Sequence, residues 1–333
     1  MTAAIGTADE LAHTPVDGVA NWQENYVWHA WNPVTRTGWN LHLGNLLAES
    51  AVDVRAHVII DGEVTAGSFS APGVADCFAA PGLTVDVVVP LERLKLRFEG
   101  RGSTGPDAGG WYGTGAAEVP FGFEIEMVTE HPVFDAGRYP YFHETLDIAG
   151  NHYEAGARWH GRLWRGDTVV ETDGLLIRDH SWGGRAWAWD EVFWVPMVFD
   201  GGRAFRFNWA RRAGVEWRTI SVDIDAAGTT TVMDDVWVRL GGRAVPRQFW
   251  TAEVLRATAD RSERATLHGD IHLPIRRKRS GRHVGLSDMW STVHTPGGVG
   301  FGTVQIFPTD DQVAAGFADP LPRPDFTRTQ EQQ

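Results

Sequence analysis

The chain of 333 residues holds one cysteine, Cys77. A single thiol excludes an internal disulfide and any multi-cysteine metal centre, and it fits a reducing compartment. No stretch approaches the ~18 uninterrupted apolar residues that a membrane-spanning helix needs. Met1–His13 has neither a positive start nor a long apolar run, which speaks against a secretory signal. A cytoplasmic location is expected. Basic residues are in the minority, with 30 Lys and Arg against 43 Asp and Glu and a formal net charge of −13. That balance argues against nucleic acid or an anionic membrane as partner, because both are recognised through basic patches. The one basic run, Arg276–Arg279 with Arg282, reads as a solvated hairpin tip.

Familiar catalytic signatures are also missing. There is no Walker A loop, no Gly-x-Ser-x-Gly elbow and no His-Glu-x-x-His. Gly297-Gly298-Val299-Gly300-Phe301-Gly302 reads as a turn and strand, not as a phosphate cradle. The 13 histidines are scattered without a metal-ligand spacing, so no metal site and no cofactor are expected. Distant residues can still converge in antiparallel strands.

What the chain has in quantity is aromatic area, 16 Trp and 16 Phe. Tryptophan brings a large apolar surface with one N–H that wants a partner, which suits thick β cores or an aromatic-lined cavity. Short alternating runs recur, separated by Gly and Asp turns. Trp22–Trp31 and Thr37–Gly44 flank a turn at Asn32-Pro33. His57–Ile60 and Glu63-Val64 flank Asp61-Gly62, a two-residue hairpin signal. Further runs lie at 83–89, 94–100, 121–128, 157–164, 192–199, 204–209, 217–224 and 299–307. Strands at this spacing, with almost no helical period, predict an all-β protein of sandwich or barrel type. Two sets, one on each side of residue 177, predict tandem barrels over 21–176 and 177–310, a loose leader over 1–20 and a tail over 311–333.

Between two of these strands lies Arg178-Asp179-His180-Ser181-Trp182-Gly183-Gly184-Arg185. Polar groups this dense beside apolar strands must bond to one another or meet a ligand. Asp179 could serve as an acid raised by burial, or His180 could, polarised by Asp179. Trp182 could hold a developing cation against its face. The architectural alternative is an ion-pair network of Arg178, Asp179 and Arg185 pinning the domain junction, with His180 and Ser181 bonded to backbone at a bulge.

Arg178-Asp179-His180-Ser181-Trp182-Gly183 with Arg185 resembles the motif of the AttH/CrtC-like proteins. That superfamily includes carotenoid 1,2-hydratase, with tocopherol-cyclase-like and fungal Diels–Alderase proteins as more distant relatives. A bacterial group carrying Arg-Asp-His-Ser-Trp-Gly between two β-domains looks nearer still. Asn32-Pro33, Leu91–Leu96, Phe98–Gly100, Tyr153–Gly156 and Gly300–Val304 extend the resemblance over roughly residues 22–307.

The resemblance implies two lipocalin-like antiparallel β-barrels packed in tandem, with an apolar cavity near their junction for an isoprenoid, terpenoid or steroid-like molecule. It implies cofactor-independent acid–base chemistry at a carbon–carbon double bond: hydration, dehydration, isomerisation or cyclisation. His180 and Asp179 are the candidate catalytic residues. Trp182, Trp194, Phe207 and Trp209 are candidates for holding substrate, and Arg178, Ser181, Gly183 and Arg185 for structure. Carotenoid hydratases also use a Tyr and an Asp on a second-domain strand, and Ala204–Trp209 offers neither. Glu191, Glu216, Asp223 and Glu253 are the carboxylates available there. A non-catalytic carrier of a lipophilic molecule is the alternative function, and an assembly role a third. A lipophilic small molecule is the expected partner, and the sequence leaves a homodimer open.

Overall fold

The computed structural model describes residues 5–19, 21–46, 50–73, 76–105, 117–136, 150–184, 191–211, 218–233, 235–241, 251–258, 262–279 and 282–307. They form twenty strands and two short 3-10 turns, Thr7–Glu10 and Cys77–Ala79. The chain divides into two compact units, one of Met1–Ala188 with Ala226–Gly228, the other of Trp189–Asp225 with Thr229–Gln333.

The first unit contains β1 (Trp22–Asn32), β2 (Thr37–Leu46), β3 (Ala51–Ile60), β4 (Glu63–Pro72), β5 (Leu83–Val89), β6 (Arg93–Gly105), β7 (Glu118–Thr129), β8 (Phe134–Asp135), β9 (Asn151–Arg165) and β10 (Thr168–Gly184). Neighbours pair antiparallel in the order β10-β1-β2-β3-β4-β6-β7-β9, and β9 pairs β10 again. The sheet thus closes on itself as an eight-stranded barrel, which removes its edges. Alternation decides what fills it. Tyr26, Trp28 and Ala30 of β1 point inward with Trp39, Leu41 and Leu43 of β2, Val54, Ala56 and Val58 of β3 and Phe121, Phe123 and Ile125 of β7. The Asp61-Gly62 turn forms as expected, with both residues at positive φ (54° and 78°), the geometry that a two-residue hairpin demands.

The second unit contains β11 (Glu191–Trp194), β12 (Met197–Phe199), β13 (Ala204–Arg211), β14 (Arg218–Ile224), β15 (Thr230–Val232), β16 (Asp235–Gly241), β17 (Thr251–Ala257), β18 (Ser262–Arg279), β19 (Arg282–Thr295) and β20 (Gly298–Phe307). Its antiparallel order is β15-β14-β13-β11-β20-β19-β18-β17-β16. One apolar core draws Phe193, Phe205, Phe207, Val254, Leu267, Met289 and Val304 from six of these strands. Arg279 pairs with Arg282, so the basic run does close a hairpin. The fold is all-β, in two tandem lipocalin-like units.

Two boundaries differ from the sequence reading. β10 continues unbroken through residue 177, because its ladder to β1 and β9 runs on to Gly184. The motif therefore belongs to the first unit, and the division falls after Ala188. Residues 5–13, expected as loose leader, are packed: Glu10 is fully buried and Ile5 lies against Trp22, Tyr153 and Trp182. The expected tail, 311–333, lies outside the described residues.

Backbones in the first barrel approach so closely that some sites admit only hydrogen. A Cβ at Gly122 would run into the Phe98 carbonyl oxygen and the Trp164 indole. Gly122→Ala should therefore destabilise the first unit by about 1–3 kcal/mol. A lowered urea midpoint for that unit's transition checks it.

Candidate active site in the first barrel

Adjacent strand residues face opposite ways, and this splits the motif in two. Arg178, His180 and Trp182 share the face of Leu176, which lines the barrel core, while Asp179, Ser181 and Gly183 face outward. Ladder partners confirm the division. His180 stands opposite Tyr26 on β1 and Tyr153 on β9, and Asp179 stands opposite Val27 and Glu154.

On the inner face, His180 is completely buried and its Nε2–H donates to Glu24 Oε1 at 2.9 Å. The same oxygen accepts from His13 Nδ1 at 2.7 Å. The His13 backbone N–H bonds Glu24 Oε2 at 3.0 Å, and His13 Nε2 lies 3.1 Å from Asp9 Oδ1. Rings enclose the imidazole of His180. Tyr26 stacks on it at 3.9 Å between centroids, Trp182 tilts at 4.7 Å, and Tyr153 meets it edge-on at 5.2 Å. His13 lies flat on Trp182, 4.0 Å away and 7° from parallel, so one face of that indole is covered. Beside them Arg178 Nη2 donates to Glu10 Oε1 at 2.5 Å and to Tyr153 Oη at 2.6 Å. Glu10 Oε2 also accepts from the Leu91 backbone N–H at 2.6 Å.

Burial and these bonds set the protonation states. Burial disfavours the charged form of both imidazoles. At His180 it prevails over Glu24, so the pKa falls below 6.5 and the ring is neutral at pH 7. At His13 the bonds to Glu24 and Asp9 prevail over burial, and the pKa rises. Burial also resists ionisation of Glu24, but bonds from His13 and His180 hold its carboxyl below the usual range. Tyr26 and Tyr153 stay protonated, both chiefly through burial. Burial pushes the Cys77 thiol up to about 12, which leaves it inert as a nucleophile. With Nε2–H committed to Glu24, the nitrogen of His180 left uncommitted is Nδ1, which is buried and bonded to no described group. A carboxylate that fixes the tautomer of an imidazole and stabilises its charged form makes a base and acid of that ring's other nitrogen.

On the outer face, Asp179 is bonded by His152 Nε2, which also lies 3.5 Å from Glu154 Oε1. The expected polarisation of His180 by Asp179 is thus replaced by Glu24, because chain neighbours on a strand cannot face the same ligand. The expected network of Arg178 with Asp179 is replaced by Arg178 with Glu10 for the same reason. Among the described residues, two groups, His13/Glu24/His180 and His152/Glu154/Asp179, each hold their donor atoms within 4.8 Å of one another. Each unites residues far apart in sequence, and in each an imidazole is already bonded to a carboxylate.

The other expected site residues are dispersed. Ser181 is buried on the outer face, and Gly183 adopts φ 126°, a conformation that favours glycine. Arg185 lies outside the described residues. Trp194 and Phe207 are both buried in the second unit. Phe207 is in its core, while Trp194, next to the core residue Phe193 on β11, takes the opposite face. Trp209 lies on β13, and its side chain is outside the described set. Glu24, His13, Glu10, Tyr26 and Tyr153 were missed as site residues. The only signal for Glu24 was its place on β1 opposite Trp182, a pairing that sequence does not announce.

The outer face holds another buried imidazole. Asn40 Nδ2 donates to the Trp28 carbonyl at 2.8 Å and faces His29 Nδ1 at 3.3 Å. Burial, aided by Arg55, lowers the His29 pKa to about 3. The unfolded chain takes up this proton near pH 6.5, the folded chain only near 3, so acid favours unfolding through that window. From pH 6.5 to 5 the loss is about 2 kcal/mol. His29→Gln should remove it, leaving a urea midpoint that falls less over this interval than the wild type's. Arg178→Met should cost about 3–5 kcal/mol, because the enclosed Glu10 carboxylate loses its cation. Adding Glu10→Gln should recover part of that loss in the same titration.

Comparison with known proteins places this architecture. The family model described as Domain of unknown function (DUF7064) matches residues 6–310. No curated protein matches the sequence. Among solved structures, an AttH-like protein from Nitrosomonas europaea is 14% identical with a TM-score of 0.60, covering 89% of this chain and 96% of its own. Kievitone hydratase from Nectria haematococca is 13% identical with a TM-score of 0.56, covering 92% and 94%. At these identities the likeness is one of fold. The chain belongs to the DUF7064 family, built on the AttH/CrtC-like fold.

Proposed function

We propose that the first barrel is an enzyme site for acid–base chemistry on a hydrophobic molecule of isoprenoid, terpenoid or steroid type, with His180 exchanging the proton. Hydration or dehydration at a carbon–carbon double bond is the favoured reaction, and isomerisation or cyclisation would use the same first step. The observation that carries this reading is the state of His180: fully buried, fixed through Nε2 by Glu24, with Nδ1 uncommitted among aromatic rings. The likeness in fold to a kievitone hydratase supports it.

An alkene is a weak base, so its protonation needs a strong acid held away from water. Burial that lowers the His180 pKa makes its imidazolium the stronger acid. In hydration, the Nδ1–H bond breaks and the alkene π pair forms the new C–H bond. Water adds to the adjacent cationic carbon and returns one proton to Nδ1, so the ring ends as it began. Dehydration is the reverse. Tyr26, Tyr153 and Trp182 offer π density to a developing cation. Neither Tyr competes as base, since both hold their protons.

The test is incubation of the full-length protein with a panel of lipophilic alkenes and their alcohols, with mass spectrometry for gain or loss of one water. His180→Gln should reduce turnover about 10²–10⁴-fold with the fold retained. Full turnover in that variant would refute the assignment. Tight binding without conversion in the wild type would instead favour the carrier reading.

A further inference from the structure

A ring that trades protons with a substrate must also equilibrate with water, yet His180 has no exposed surface. Among the described residues, one chain of groups leads outward from it. Its Nε2–H donates to Glu24 Oε1, the same oxygen accepts from His13 Nδ1, and His13 Nε2 reaches Asp9 Oδ1. Side-chain exposure rises along that path, from 0% at His180 and Glu24 to 20% at His13 and 27% at Asp9. The other titratable groups at the ring give no exit. Tyr26 and Tyr153 keep their protons, and Arg178 stays charged against Glu10.

We infer that Asp9, His13 and Glu24 form a proton relay joining the buried His180 to solvent, with His13 as its port. The inference rests on the reading of His180 as the proton-exchanging group and assigns the N-terminal segment a part in it. Outward, a proton taken up at Nδ1 makes the His180 ring cationic, and the ring gives its Nε2 proton to Glu24 Oε1, breaking N–H and forming O–H. Glu24 passes that proton to Nδ1 of a His13 ring in its Nε2–H form, which restores the carboxylate, and His13 gives its Nε2 proton to Asp9, from which water takes it. One proton enters at His180 Nδ1 and one leaves at Asp9, the His180 ring is left neutral in its Nδ1–H form, and every electron pair stays on its atom. From that form the inward path reverses these steps.

The surroundings fit such a relay. Trp182 holds the His13 ring flat against it, and the His13 backbone N–H separately anchors Glu24 Oε2. The resting proton preference, high at His13 and low at His180, keeps the inner ring ready to receive. His13 touches no reacting atom and is a positioning residue that acts through Glu24.

The decisive variant is His13→Phe, which preserves the stack on Trp182 and the backbone bond to Glu24 but carries no proton. The readout is the exchange of the His180 Nε2–H with water, followed by NMR on full-length protein labelled with ¹⁵N at histidine. The relay predicts exchange slowed about tenfold or more, with a smaller slowing in Asp9→Asn. If His13 were only a plug, His13→Phe would leave exchange unchanged or faster, and that result would overturn the relay. Should His13→Phe fail to fold, His13→Gln keeps a donor toward Glu24 and answers the same question. The measurement needs no substrate, so its outcome separates from the turnover test. Lost turnover in His180→Gln with unchanged exchange in His13→Phe sinks the relay alone. Slowed exchange with turnover retained in His180→Gln sinks the catalytic reading alone.

Discussion

A carboxylate with no contact to water is the constraint on which this first barrel depends. Glu24 sits at 0% exposure, and an isolated buried charge of that kind costs several kcal/mol or more unless it is met by donors. The fold meets it with four N–H contacts from two histidines: His180 Nε2, His13 Nδ1 and the His13 amide to both oxygens. Meeting that charge is what draws the N-terminal segment onto the barrel. The same contacts fix the tautomer of His180 and leave its Nδ1 uncommitted.

A second buried charge works alongside the first. Arg178 is fully buried and is balanced by Glu10 and the Tyr153 hydroxyl. Two short stretches of the N-terminal segment thus supply a counter-charge and a donor to β1 and β10. Removing the segment would strand both a guanidinium and a carboxylate, which is why residues that read as a polar leader belong to the folded unit.

The motif strand serves two environments at once. Its inner residues form the Glu24-centred group, and its outer residues join His152 and Glu154 in a separate polar layer. The same outer face also buries Asn40, His57 and His29, with Asn40 bonded to each of the two histidines. A barrel wall with polar residues buried on its outside is unusual for a surface that faces water. It explains why so many histidines lie in strands without any local metal spacing.

Much of the fold was legible in the chain. Alternation along β1, β2, β3 and β7, the Asp61-Gly62 turn and the density of Trp and Phe imposed strands, hairpins and a thick apolar core, because these effects act between neighbours in sequence. The motif lies on β10, the strand that carries His180. What the chain did not carry was the partnership of His180. Asp179 adjoins it in sequence and is turned away by the two-residue period of the strand, whereas Glu24 lies 156 positions off. Only closure of the barrel brings β1 against β10 in the register that sets Glu24 opposite Trp182 and Tyr26 opposite His180. Local periodicity determined which residues point inward. Long-range strand pairing alone decided which of them meet, because register is a property of two segments and is written in neither.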